Sequence, residues 1–104
     1  MNNTFGPLQV GKVGIAVNKM QGYLNIMQGR GFTKTRVKED GKYGVDTADA
    51  VREWQAYANL PINGKIGLDT WNSIVNQLRE LGIITNIPVY SRSYYLTQGN
   101  QGLD

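Results

Sequence analysis

Apolar residues recur in steps of three and four between positions 13 and 28. Val13, Ala16, Val17, Met20, Leu24 and Met27 therefore share one face of a helix. Gly22 inside this segment costs on the order of 1 kcal/mol relative to alanine, and Gly29 and Gly31 close it. A second stripe, Ala50, Val51, Trp54, Tyr57 and Ala58, predicts a helix from about 45 to 59. Pro61 stops it, because the ring pushes the residue before it away from helical geometry. Trp71, Ile74, Val75 and Leu78 predict a third helix from about 68 to 81, with Gly82 as its C-terminal cap and apolar Ile83 behind it. Residues 29 to 41 show no period and carry Arg30, Lys34, Arg36 and Lys38, so they read as a loop. The expected fold is all-α: a small orthogonal bundle of three main helices, with Val37 and Ile62 as a minimal strand pair beside their turns.

An internal duplication underlies this pattern. Residues 40 to 51, D-G-K-Y-G-V-D-T-A-D-A-V, repeat 23 positions later as N-G-K-I-G-L-D-T-W-N-S-I. Gly41 matches Gly64, Lys42 matches Lys65, Gly44 matches Gly67, Asp46 matches Asp69 and Thr47 matches Thr70. Each copy reads as a turn feeding a helix, because Asp-Gly and Asn-Gly tolerate positive φ. Asp46 and Asp69 are expected in the first helical turn, where a carboxylate meets the positive end of the helix dipole. Thr47 and Thr70 are expected to bond the free amides of that turn. A second relation aligns Val17-x-x-Met20-Gln21 with Val51-x-x-Trp54-Gln55, and the glutamines are expected to tie down loop backbone. A third relation repeats Leu8-x-x-Gly11-x-x-Gly14 as Leu96-x-x-Gly99-x-x-Gly102. On that basis residues 1–84 form one domain, 85–95 a linker, and 96–104 the opening of a second, truncated copy.

Composition narrows the chemistry. The 104 residues include no histidine and no cysteine, which removes most zinc sites and the usual Cys-His and Ser-His catalytic assemblies. No metal and no cofactor is expected. Eleven Lys and Arg against eight Asp and Glu give a net charge of +3, which permits an anionic partner without choosing one. No run approaches the ~18 apolar residues of a membrane span. The N-terminus lacks a basic stretch followed by an apolar one, so no export signal is expected within this sequence.

The ordered motifs Leu8-x-x-Gly11-x-x-Gly14-x-x-Val17-x-x-Met20-Gln21-x-x-Leu24, then D-G-K-Y-G-V-D-T-A-D-A-V-R-E-W-Q, then N-G-K-I-G-L-D-T-W, resemble the helical peptidoglycan-binding domain of bacterial and phage cell-wall hydrolases. The resemblance spans roughly residues 8 to 80. It departs from the family pattern at Met20, where leucine is usual, at Asn63, where aspartate is more common, and at Pro61-Ile62. It implies a three-helix bundle that attaches to peptidoglycan without catalysis. It also implies a neighbouring amidase, peptidase, muramidase or transglycosylase domain, a monomer, and a location in the cell wall or outside the cell. The family's ligand contacts follow no invariant motif, so site residues rest on residue type.

Peptidoglycan offers N-acetylated sugars, peptide amides and free carboxylates, which call for aromatic faces, amide partners and cations. The turn residues Lys42, Gly64 and Lys65 are candidates to flank one shallow groove. Tyr43 and Tyr57 are candidate aromatic walls, and Arg52 a candidate carboxylate clamp. The resemblance sets against this a core aromatic position for Tyr43, and the apolar stripes place Trp54 and Trp71 in the core. Three rival readings remain. A nucleic-acid reader would need exposed cations along a recognition helix, yet the second and third helices carry only Arg52 and Arg79. A glycosidase would need paired carboxylates; of the glutamates only Glu39 and Glu53 lie away from a helix C-terminus, with no motif placing either in a cleft, and the acidic residues of the turns have capping roles. The same fold could also serve as a structural or docking module, in a phage particle or spore layer, without wall binding.

Overall fold

The three apolar stripes become three helices: α1 (Ile15–Gly29), α2 (Val45–Tyr57) and α3 (Leu68–Glu80). The structure, a computed structural model, describes residues 7–83. The linker and second copy expected at 85–104 lie outside the described residues. α1 packs against both α2 and α3. Met20, Leu24 and Met27 from α1 meet Val51 and Trp54 from α2 and Trp71, Ile74 and Leu78 from α3 in one core with no accessible surface worth the name. The indole N–H of Trp54 donates to Ser73 Oγ at 2.8 Å, which joins α2 to α3 through a polar contact at the edge of that core.

Helix starts follow the glycines. Gly14, Gly44 and Gly67 each precede a helix and supply no capping side chain. Val13, counted above among the inward positions of α1, instead lies ahead of the helix, is 71% exposed and bridges to Lys42. Helix α2 ends as Asn59 turns to φ 63, with Leu60 N–H donating to Gln55 O at 2.8 Å. Helix α3 ends at Gly82, and Ile83 folds back to donate its N–H to Leu78 O.

Two local expectations are corrected. Val37 and Ile62 do not pair. The side chain of Asn25 holds both backbone groups of Val37, accepting its N–H at 2.8 Å and donating to its carbonyl at 2.7 Å, while Ile62 stands exposed. The isolated bridges among the described residues are Leu8 to Ile66 and Val13 to Lys42, both antiparallel. Thr47 and Thr70 do not cap their helices. Each is buried with its hydroxyl accepting a hydrogen bond from a glutamine of the preceding helix. In the first turns, Asp69 Oδ1 accepts the Thr70 N–H, whereas Asp46 Oδ2 reaches back to the Lys38 N–H.

Candidate functional site: two grooves built on two turns

Each Asp/Asn-Gly-Lys turn is held by one buried glutamine. Gln21 Oε1 accepts the Gly41 N–H at 2.8 Å, and Gln21 Nε2 donates to Lys42 O, Thr47 Oγ1 and, more distantly, Asp40 Oδ1. Gln55 Oε1 accepts the N–H groups of Asn63 and Gly64, and Gln55 Nε2 donates to Lys65 O, Thr70 Oγ1 and Asn63 Oδ1. Within each turn the side-chain oxygen also accepts the amide two residues on: Lys42 N–H to Asp40 Oδ1, Lys65 N–H to Asn63 Oδ1. The expectation that these glutamines tie down loop backbone is met at both positions. A glutamine suits the task because its amide both accepts and donates, and a buried turn needs both.

The segment from Leu8 to Val13 crosses both turns. Leu8 exchanges both backbone hydrogen bonds with Ile66, at 3.0 and 2.8 Å. Three residues later, Gly11 N–H donates to Tyr43 O and Tyr43 N–H donates to Lys12 O. Beside the first turn this leaves a shallow groove of about 350 Å³, lined by Val13, Gly14, Ile15 and Asn18 against Asp40, Gly41 and Lys42. Beside the second lies a smaller one of about 150 Å³, lined by Gln9, Val10, Ala48 and Arg52 against Asn63, Gly64 and Lys65.

The candidate site residues divide among four places. Arg52, Gly64 and Lys65 converge on the second groove, and Lys42 stands in the first. Arg52 pairs with Asp49 one turn earlier on α2, and its guanidinium lies across the face of Gly64. Tyr57 lines neither groove. It is 55% exposed at the end of α2, its ring 4.9 Å from Phe32 and 5.3 Å from Trp54. Tyr43 is 2% exposed, so its ring offers no wall to a ligand. Its hydroxyl donates to Gly64 O at 2.7 Å and so couples the first turn to the second. Asn18, Gln9 and Val10 were not singled out from the sequence. The alignment of Gln21 with Gln55 carries the signal for Asn18, because the same register places it on Arg52.

The carboxylates are engaged in the scaffold. Glu53 Oε1 accepts the N–H groups of Lys34 and Thr35, and Oε2 accepts the Thr35 hydroxyl. Burial pushes its pKa up, but those hydrogen bonds and the nearby Lys34 charge outweigh it and hold the pKa below the usual glutamate value. Glu39 Oε2 accepts from Asn25 Nδ2. The Lys42 amide is the main cause that lowers the Asp40 pKa below its ordinary value. Among the described residues no three His, Cys, Asp or Glu side chains cluster as metal ligands, and no helix is long and apolar enough to cross a membrane.

The family model described as a putative peptidoglycan binding domain matches residues 14–74, which contain both glutamines and both turns. Among solved structures, the crystal structure of the SleB N-terminal domain is similar to this chain. The TM-score is 0.59 and the identity 31%, covering 68% of this chain and 90% of that one. The search of curated proteins returned no match.

Proposed function

The chain belongs to the peptidoglycan-binding domain family, and from that premise we propose that it is a non-catalytic module that holds an attached cell-wall hydrolase domain against its substrate. One observation carries the reading. The matched region contains the two glutamine-braced turns, and each turn has a groove beside it. Lys42, Arg52, Gly64 and Lys65 are the proposed contacts, with Tyr57 as a separate aromatic face. The two glutamates weighed for glycoside hydrolysis are hydrogen-bonded within the scaffold, which supports binding over cutting.

The proposal extends to the tail. Leu8 is buried against Ile66, Gly11 bonds Tyr43, and Gly14 precedes α1, so the Leu-x-x-Gly-x-x-Gly spacing has a structural meaning. Its recurrence at Leu96, Gly99 and Gly102 supports a second copy beginning there. Tandem copies would strengthen attachment to a repetitive polymer through effective concentration.

Co-sedimentation with insoluble peptidoglycan freed of attached anionic polymers tests the reading. The expected result is retention at both low and high salt, with no clearing of the suspension. Retention lost at high salt would reduce the effect to the +3 charge. No retention, by this chain or by a two-copy version, would leave the docking module as the better account.

A further inference from the structure

The two grooves are two copies of one site that have diverged in chemistry. The register that pairs Gln21 with Gln55 also pairs Gly14 with Ala48 and Asn18 with Arg52. The structure bears this out atom by atom. A Cβ on Gly41 would meet the backbone oxygen of Gly14 at 3.3 Å and Asn18 Cβ at 3.8 Å. A Cβ on Gly64 would meet Ala48 O at 3.7 Å and the Arg52 side chain at Nη1 and Cγ. Each groove thus has a turn, the helix residue three before the glutamine, and a wall from the N-terminal segment.

What the two present to a ligand differs in charge. In the first groove, Asn18 Nδ2 donates to Glu39 O at 3.2 Å. Asp40 uses Oδ1 on its own turn and keeps Oδ2 as an acceptor. The first groove therefore pairs one carboxylate with one cation, Asp40 with Lys42, beside the Asn18 amide and exposed Val13 and Ile15. In the second groove the orientation of Asn63 is fixed by the Lys65 N–H, which needs an acceptor at Oδ1. Its Nδ2 is left facing away from the turn as a donor. Arg52 and Lys65 add two cations. Asp49 offsets part of the Arg52 charge, but that pair is half-exposed and occupies one edge of a guanidinium with five donors.

We propose that the groove around Gly64 is a carboxylate subsite, filled in the wall by a free carboxylate of the peptide. This rests on the wall-binding reading and names the group that the second groove recognises. A planar carboxylate matches the fork of Arg52, and the Asn63 amide and Lys65 ammonium add further donors in the same groove, whose lining holds no carboxylate.

The test compares intact peptidoglycan with the same material after its carboxylates are capped as methylamides. Capping is expected to lower affinity of the native chain by about tenfold or more, the range set by hydrogen bonds to a charged group. Arg52→Gln should lose a similar factor on intact wall and be indifferent to capping. Asn63→Asp gives the second groove the acceptor that Asp40 gives the first, and should weaken binding to intact wall in the same direction. Its fold is safe to expect, because Asp40 already serves in the equivalent turn. Lys34→Gln removes a charge outside both grooves and should leave binding to intact wall near the native level. Equal binding of the native chain to capped and intact wall would overturn the carboxylate subsite while leaving wall binding in place. Equal losses for Arg52→Gln and Lys34→Gln would overturn it as well, by showing a general charge effect. No binding to intact wall would overturn both readings together.

Discussion

The first turn and the second turn are the same device with different exteriors. Inside, Gln21 and Gln55 reach the same atoms of their turns, Lys42 O and Thr47 Oγ1 in one, Lys65 O and Thr70 Oγ1 in the other. Outside, Asn18 faces Asp40 in one copy and Arg52 faces Asn63 in the other. Interior positions repeat because a buried turn has a fixed set of amides and carbonyls to satisfy, and few side chains satisfy them. Asp40 and Asn63 keep the one acceptor that each turn needs and differ in charge, while Asn18 and Arg52 make no hydrogen bond to the turn beside them and differ outright. The difference between the copies is therefore where to look for recognition, and their identity is where to look for stability.

The largest effect should come from the glutamines. Gln55→Leu strands two amides, a carbonyl and a hydroxyl inside the protein and should cost about 4 kcal/mol. Gln21→Leu strands one amide fewer and should cost about 3 kcal/mol. Urea unfolding of both variants measures the pair. Equal and small losses would mean that water replaces the glutamines and that the bracing is incidental.

A second contrast separates stability from binding. Gly41 and Gly64 both adopt positive φ, 75° and 74°, so alanine costs about 1 kcal/mol at either. Beyond that the two sites diverge. At Gly41 the new methyl presses on a backbone oxygen that cannot swing aside, and the total should reach about 2 kcal/mol. At Gly64 it meets Arg52 Nη1 at 2.7 Å, the far end of a long side chain that can move. Gly64→Ala should therefore be the milder change in thermal melts and the more harmful in wall pull-down, because it drives Arg52 out of the groove. The reverse order in both assays would break the assignment of the two turns.

How much of this was legible in the sequence follows from the same contrast. Helices α1 to α3 were legible because stripes such as Trp71, Ile74, Val75 and Leu78 report burial through period alone. The glutamine bracing was legible because both copies keep the residue in register. The role of Thr47 and Thr70 was misread, since a threonine in a first turn usually serves the turn, and only the packed structure shows a glutamine arriving from another helix. The Leu8–Ile66 and Val13–Lys42 bridges escaped notice because two-residue pairings leave no periodic trace. Arg52 is proposed as a carboxylate clamp from its residue type. Its partners Gln9 and Val10 come from a distant segment that no local pattern connects to α2.

The smallest expected effect sharpens the comparison through pH. Asp40 and Asn63 make the same turn, but only Asp40 titrates. Its pKa in the fold is lowered, chiefly by the Lys42 amide that its carboxylate accepts, so the folded state favours the ionised form. A depressed pKa contributes stability that is fully present above the unfolded value and is lost as pH falls through the folded one. On acidification below the ordinary aspartate range, the amides of Gly41 and Lys42 should therefore lose protection from hydrogen exchange. Those of Gly64 and Lys65 should not, because the Asn63 side chain keeps its acceptor at any pH. Asp40→Asn should abolish the difference and make the first turn behave as the second. If both turns loosened together in acid, the cause would lie elsewhere in the fold, with Glu53 the first group to examine, since its lowered pKa carries the same sign. If neither changed, the Asp40 carboxylate would contribute nothing measurable to a turn that the Gln21 side chain already holds.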